Sequence, residues 1–427
     1  MSNIDSLVLN VKKYLNVLNI KVPTTPPVIA TTPPVIPTTP EEYIKDKLSL
    51  CEKYINLYKH KPVITCIDNI NSRIIAIGDI HGDIDLMLNT LLISKVIQKK
   101  PNKEINNIEL NNKGNIEYYE WIGGDTIVVQ VGDQIDRCRP GFMENLLCDK
   151  IGTTFEDEAS DIEILLFFTQ LHELAIKQGG AVYSLLGNHE LMNAEGDVRY
   201  VSLENLKLAN KEGNTDITEG WKELFKRGGT LSRFLAYTRS TILIINDYLF
   251  VHAGIINDII RNVTKETKCE YFILINTIIR YWLINDSFDS DDKIKKYLQS
   301  YIAKKYNNNI KKLGNFTDYK DLFTNITNII KEKNNNITSK LDSTSPTWNR
   351  YIGNEYNPNC NLVNILISKL QLQSIIVGHT VQNQGINSKC KNLLHRVDTG
   401  SSKAFEEPKE PQVLEIKDNQ FNIIKMT

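Results

Sequence analysis

The chain has 427 residues, enough for a large core and, by length alone, for two or three domains. Its formal net charge is −1, so electrostatics give no case for nucleic acid or an anionic membrane as a partner. No apolar run approaches the ~20 residues of a membrane span, and Lys12 and Lys13 interrupt the apolar N-terminus, so no signal peptide is expected. Seven cysteines (Cys51, Cys66, Cys138, Cys148, Cys269, Cys360 and Cys390) form no CxxC pair and no regular framework. They read as free thiols in a reducing compartment, and the expected location is cytoplasmic.

Residues 1–22 come first, with Ile4, Leu7, Val8, Val11, Leu15 and Leu18 at helical spacing. A short amphipathic helix there is expected to dock on the rest of the chain. Residues 23–40 repeat the pattern Thr-Thr-Pro-Pro-Val-Ile, and proline at that density favours an extended linker. Helical periodicity resumes over Glu41–Tyr58, and a catalytic body over 41–427 follows. Within it, short β-branched runs alternate with helical patterns. Arg73–Ile77, Thr126–Val131, Ala181–Leu186, Tyr248–Val251 and Ser374–Val377 read as buried strands. Leu86–Ile97 and Asp161–Lys177 read as helices. Thr241–Asn246 with Tyr248–Val251, and Val413–Ile416 with Phe421–Ile424, read as hairpins. Residues 258–345 are helical by pattern (Cys269–Asn285, Asp292–Tyr306, Tyr319–Lys333) and are expected to form an insertion that caps the site.

Most of these strands end in metal-binding side chains. In chain order the segments are Gly78-Asp79-Ile80-His81-Gly82, Gly132-Asp133-Gln134-Ile135-Asp136-Arg137, Gly187-Asn188-His189-Glu190, Val251-His252-Ala253-Gly254, Trp348-Asn349-Arg350, Gly378-His379-Thr380 and Asp398-Thr399-Gly400. Open sheets place their sites at such strand ends. Asp, His and Asn donors without thiolate suit manganese, iron, zinc or nickel. Two metals need a shared carboxylate, with a water between them activated near neutral pH. Asp133 is the candidate bridge, Asp79 and His81 complete one ion, and Asn188, His252 and His379 the other. His189 is placed to donate a proton to the leaving oxygen, with Asp136 orienting it. Arg137 and Arg350 offer planar forks for phosphate oxygens.

The ordered set resembles the calcineurin-type metallophosphoesterases, more narrowly the phosphoprotein phosphatases with GDxHG, GDxxDRG and GNHE blocks. Leu185–Asn193, Gly196–Tyr200, Trp348–Arg350 and Asp398–Ser401 resemble the Shewanella-like protein phosphatases most. The resemblance runs from Arg73 to Phe405. It implies an α/β fold: a sandwich of two mixed β-sheets flanked by helices, with the metals on loops at one edge. It also implies the same metal ligands, the same acid pair and the same phosphate clamps, hence a phosphoprotein or phosphopeptide substrate. Two positions depart from the pattern: Cys138 stands where the family has Gly and reads as a small filler, and Ala253 replaces a second Gly.

Three histidines outside the motifs, His60, His172 and His395, read as ordinary core or surface residues. Glu190 reads as a buttress, and Asp398 divides evenly between a catalytic role and bonding its own turn. The leading expectation is a metal-dependent phosphoprotein phosphatase. A dinucleoside polyphosphate hydrolase shares GDxHG and Val251–Ile255, but Asp136 beside Arg137 and the Met192-Asn193 extension argue against it. A catalytically dead phosphoprotein-binding module is opposed by the intact ligand set.

Overall fold

The branched aliphatic runs become strands because each buries both faces. The computed structural model describes residues 39–101, 113–140, 148–210, 214–257, 259–260, 263–285, 345–405 and 407–426. One sheet has five strands, in the order β13 (Gln420–Lys425), β12 (Gln412–Lys417), β2 (Ile74–Ile77), β5 (Ile127–Gln130) and β6 (Ala181–Ser184). The other has six: β1 (Cys66–Ile67), β7 (Ile242–Ile245), β8 (Tyr248–Val251), β9 (Ser374–Val377), β11 (Leu394–Arg396) and β10 (Asn387–Lys389). Both are mixed. β2, β5 and β6 run parallel, with β12 antiparallel to β2, while β8, β9 and β11 run parallel, with β7 antiparallel to β8. A small third sheet pairs β3 (Ile97–Lys99) with β4 (Tyr119–Trp121).

Alternation along each strand builds the layers. Ile74 and Ala76 of β2 meet Leu243 and Ile245 of β7 and Phe250 of β8 in a core between the sheets. The intervening Ile75 and Ile77 face outward, into a second core with helices Ile84–Ile93 and Asp161–Ala175. Ile242, Ile244 and Leu249 likewise face out of the other sheet, against helices Pro40–Tyr58, Thr230–Thr238, Lys268–Leu283 and Cys360–Leu370. The result is the expected sandwich: helix, sheet, sheet, helix.

Several expectations need adjustment. The helix from Ile84 stops at Ile93, and Ile97 begins β3 instead of ending a helix. Pro40 opens a helix rather than closing a linker; its missing N–H costs nothing at a first helical position. Residues 1–38 lie outside the described residues, as do the helices expected at Asp292–Tyr306 and Tyr319–Lys333. The described start of 258–345 packs as body and not as cap: Phe272, Ile275, Ile279 and Trp282 are buried in the main core. There Asn276 Oδ1 accepts from Thr241 and Ile242 N–H, and its Nδ2 donates to Thr65 Oγ1 and the Ile242 carbonyl. Among the described residues, no helix is long and apolar enough to cross a membrane.

The free-thiol reading of the cysteines is overturned. Cys66–Cys269, Cys138–Cys148 and Cys360–Cys390 are disulfides, and Cys51 is the remaining buried thiol. Irregular sequence spacing hid pairs that the fold brings together, the first across a separation of 203 residues. With the free thiols goes the argument for a reducing compartment on which the cytoplasmic expectation rested.

Two outcomes are expected. Thiol titration of the denatured, unreduced protein should find Cys51 alone, and prior reduction should expose all seven cysteines; several reactive thiols before reduction would refute the pairings. Ile55→Ala, which empties a buried position where the first described helix meets the core, should cost about 2–5 kcal/mol in urea unfolding. An unchanged midpoint would mean that this helix contributes nothing to the body.

Candidate metal centre and its acid pair

The parallel strands deliver their ends to one edge, where the site lies. β2 leads to Asp79 and His81, β5 to Asp133 and Asp136, β6 to Asn188 and His189, β8 to His252, β9 to His379 and β11 to Asp398. The turns needed to bring these side chains inward are strained. His81, Asp133, Asp136 and His379 all have positive φ (47°, 53°, 72° and 66°), a left-handed conformation costing about 1–3 kcal/mol per non-glycine residue. Close approach also demands a glycine: a Cβ on Gly187 would overlap Asp133 Oδ1, and Gly378 is equally tight against Asp79.

Two sets of donors converge here, both buried and both using Asp133. His81 Nε2 lies 3.9 Å from Asp79 Oδ2 and 3.9 Å from Asp133 Oδ2. On the other side, His252 Nε2 lies 3.2 Å from Asp133 Oδ2 and 3.1 Å from Asn188 Oδ1. The same Asn188 carboxamide atom is 2.9 Å from His379 Nδ1 and 3.2 Å from Asp133 Oδ2. With the oxygen inward, four lone pairs face one another at about 3 Å, an arrangement that a cation between them satisfies.

The tautomers agree with this reading. His81 Nδ1 donates to the Ile135 carbonyl (3.3 Å), His252 Nδ1 to Val131 (3.0 Å) and His379 Nε2 to Trp348 (3.0 Å). A carbonyl only accepts, so each of these nitrogens carries a proton, and the neutral form of each ring turns its other nitrogen's lone pair to the cluster. Burial holds His81 and His379 well below the usual histidine range, helped by Arg139 at His81 and by His252 and Arg350 at His379. Burial pushes Asp79 up, and Asp398 and Asp133 push it further. His252 differs: burial lowers it, but Asp133 beside it outweighs that and pushes the ring up, so a cation at this set would displace its proton. Imidazoles among crowded carboxylates are a donor set suited to divalent cations. Asp133, Asp79 and His81 would hold one, and Asp133, Asn188, His252 and His379 the other.

Beside these donors stands the pair assigned to acid catalysis. His189 Nδ1 meets Asp136 Oδ2 at 2.8 Å, while its Nε2 points toward Asp133 Oδ2 at 3.9 Å. Asn193, one helical turn after His189, was not singled out as a site residue. Its Nδ2 donates to both Asp136 oxygens (3.0 and 2.9 Å), and its Oδ1 accepts from Trp221 Nε1 (2.7 Å). The i, i+4 spacing on one helix was the available signal. Glu190 is the buttress expected of it, accepting from the backbone N–H of Asp133, Gln134 and Gly187. Asp398 accepts from Gly400 N–H (3.0 Å), yet it is also buried close enough to Asp79 to raise its pKa.

The two arginines diverge. Arg350 is exposed at the rim, its Nη1 donating to the His379 carbonyl and Thr380 Oγ1, both at 3.1 Å. Arg137 is instead buried in the fold. Its Nη1 donates to Glu158 (2.6 Å) and the Gly82 carbonyl (3.2 Å), and its Nη2 to the Phe155 carbonyl (3.4 Å).

A double mixed sheet with a donor-lined edge defines a phosphoesterase architecture, and the comparisons agree. The profile of the calcineurin-like phosphoesterases matches residues 72–383, and the chain belongs to that family. It is therefore a hydrolase of phosphoesters. An uncharacterized protein of Acanthamoeba polyphaga mimivirus is 32% identical over 285 residues, 60% of this chain and 96% of that one. Shewanella-like protein phosphatase 2 of Arabidopsis thaliana is 25% identical over 386 residues, 81% of this chain and 75% of that one. The fold is shared with the cold-active protein-tyrosine phosphatase of a psychrophilic Shewanella species. That match has a TM-score of 0.54 at 19% identity and covers 95% of this chain and 89% of that one.

If Asp133 is the shared ligand, Asp133→Asn should lower bound metal at both positions together and abolish turnover. Elemental analysis of the purified protein checks this. Full metal content in the variant would move the bridge to another carboxylate.

Proposed function

We propose that this chain is a metal-dependent phosphoprotein phosphatase acting on phosphomonoesters of serine, threonine or tyrosine. One observation carries the reading: the His189–Asp136 pair, braced by Asn193, stands against two buried donor sets that share Asp133. The names of the Arabidopsis and Shewanella relatives support a protein substrate. When bound, two divalent cations (manganese, iron or zinc by donor type) would supply Lewis-acid activation of water and neutralise phosphoryl charge.

The chain's own residues do the rest. Asp136 accepts a hydrogen bond from His189 Nδ1–H and so supports the imidazolium form, whose Nε2–H faces the site and gives its proton to the departing oxygen, leaving the neutral ring. Asn193 fixes the Asp136 carboxylate against rotation, which keeps the imidazole in one plane. Arg350, pinned through one nitrogen, keeps the rest of its fork for a phosphoryl oxygen at the rim.

The wild type, with added Mn²⁺, is expected to hydrolyse p-nitrophenyl phosphate and phosphopeptides well ahead of dinucleoside polyphosphates. The reverse order would sink the proposal. His189→Ala should keep its metals and lose roughly 10²–10⁴-fold in turnover of a phosphoserine peptide, the usual worth of a general acid. The loss should shrink for p-nitrophenyl phosphate, whose leaving group needs little protonation. Loss of metal in this variant would make His189 a ligand.

A further inference from the structure

Arg137 occupies the family's phosphate-clamp position, yet with 1% of the residue exposed its two terminal nitrogens are engaged by the fold, and its Nε is buried without a partner. Two residues on, Arg139 is in the opposite condition. Only its Nη1 is engaged, donating to the carbonyls of Asp136 and Cys138, both at 2.9 Å. Among the described residues its Nε and Nη2 meet no acceptor within hydrogen-bonding distance, and no carboxylate lies within 4 Å to pair with it.

The surroundings of Arg139 aim it at the metal centre. Its guanidinium carbon lies 4.9 Å from the Phe405 ring centroid and 5.8 Å from that of Tyr200. Those rings stand edge-on to the site histidines, Phe405 to His81 (5.8 Å) and Tyr200 to His189 (4.9 Å). A guanidinium between two aromatic rings keeps its plane fixed while its edge stays open. The carboxylates that act on it through space are Asp136, Asp133 and Asp398, all of the centre, with no direct ion pair among the described residues. The backbone holding it is fixed too: Cys138 N–H donates to the Tyr200 carbonyl (3.0 Å), and Cys138 is tied to Cys148.

We propose that Arg139, not Arg137, grips the substrate's phosphoryl oxygens, opposite Arg350. This rests on the phosphatase reading above. Each of the two arginines has one nitrogen pinned by the protein and the remaining donors open. Arg139 flanks the His81–His189 side and Arg350 the His379 side, so a phosphoryl group at the centre meets a fork from each flank. Arg137 is a positioning residue: through the Gly82 carbonyl it braces the loop that carries His81, and through Glu158 it anchors that brace.

Calorimetric binding of inorganic phosphate to the Mn²⁺-loaded full chain tests the assignment, beside p-nitrophenyl phosphate kinetics, melting temperature and metal content. Arg139→Ala should weaken phosphate binding roughly 10- to 100-fold, the size of a lost charge-assisted contact, with melting temperature and metal content held. Arg139→Lys should recover charge but not the fork, and fall between the two. Arg137→Lys should show mainly as a lower melting temperature, with a much smaller change in phosphate affinity. Phosphate affinity equal to wild type in Arg139→Ala, or a larger loss in Arg137→Lys than in Arg139→Ala, overturns the assignment. A wild type that binds phosphate but does not hydrolyse p-nitrophenyl phosphate overturns the phosphatase reading, while the arginine comparison still decides between Arg139 and Arg137. A wild type that binds no phosphate overturns both.

Discussion

One buried carboxylate holds the site's two central loops together. Glu190 accepts three backbone N–H groups, from Gln134 and Gly187 at 2.7 Å and from Asp133 at 3.0 Å. The first and last of these residues follow β5, and Gly187 follows β6, so a single side chain joins the ends of two neighbouring strands. Asp133 answers by accepting from the His189 N–H (3.0 Å). Charge-assisted bonds of this kind are about twice as strong as neutral ones, and here they also oppose the local strain of a left-handed Asp133. Asp133, Asn188 and His189 are thus positioned by one knot. Burial and the nearby Asp133 push Glu190 up, while the bonds from Gln134 and Gly187 and the charge of His252 pull it down. Arg239, buried and bonded to Gln134 Oε1 (3.2 Å), also feels the Glu190 carboxylate through space.

The fold was legible where the physics is local. Continuous apolar runs mark β2, β5, β6, β8 and β9 because a strand buried on both faces tolerates few other residues. Asp418-Asn419 marks the last hairpin because both residues accept positive φ, as they do here (51° and 60°). The errors lie where one periodicity passes into another. Val96 and Ile97 continue an apolar pattern, but Lys95 takes φ of 55°, which ends the helix and turns the chain into β3. The sandwich itself came from family likeness, since strand patterns alone do not say which strands share a sheet.

In the site, residue type and order picked out side chains that the structure brings to one edge, because strand ends gather them. Orientation was not legible. Arg137 and Arg139 differ in sequence only by one intervening cysteine, yet one faces Glu158 and Gly82 and the other the aromatic pair beside the histidines. The decisive facts are long-range: the Cys138–Cys148 bridge, the Tyr200 carbonyl on Cys138, and the position of Phe405 at the far end of the chain. The cysteine pairings share that character, since a sequence separation of 203 residues carries no local signal.

Charge balance connects the donors to the arginines. Asp79, Asp133, Asp398 and Glu190 are buried together, and the neighbouring His81 and His379 are kept neutral. Burial pushes Asp79, Asp398 and Glu190 up, so they resist ionising together, and to the extent that they are ionised the edge opposes a phosphomonoester, whose own charge is negative at neutral pH. Cations at the donor sets would reverse that opposition, and the open forks of Arg139 and Arg350 would then add attraction instead of merely offsetting carboxylates. Metal and phosphate binding are in that case linked functions, each strengthening the other by the same factor. On the proposed reading the carboxylates would do more than hold ions. By opposing anions unless cations are bound, they would couple phosphate recognition to the metals, so that substrate is held where the hydrolytic machinery is complete.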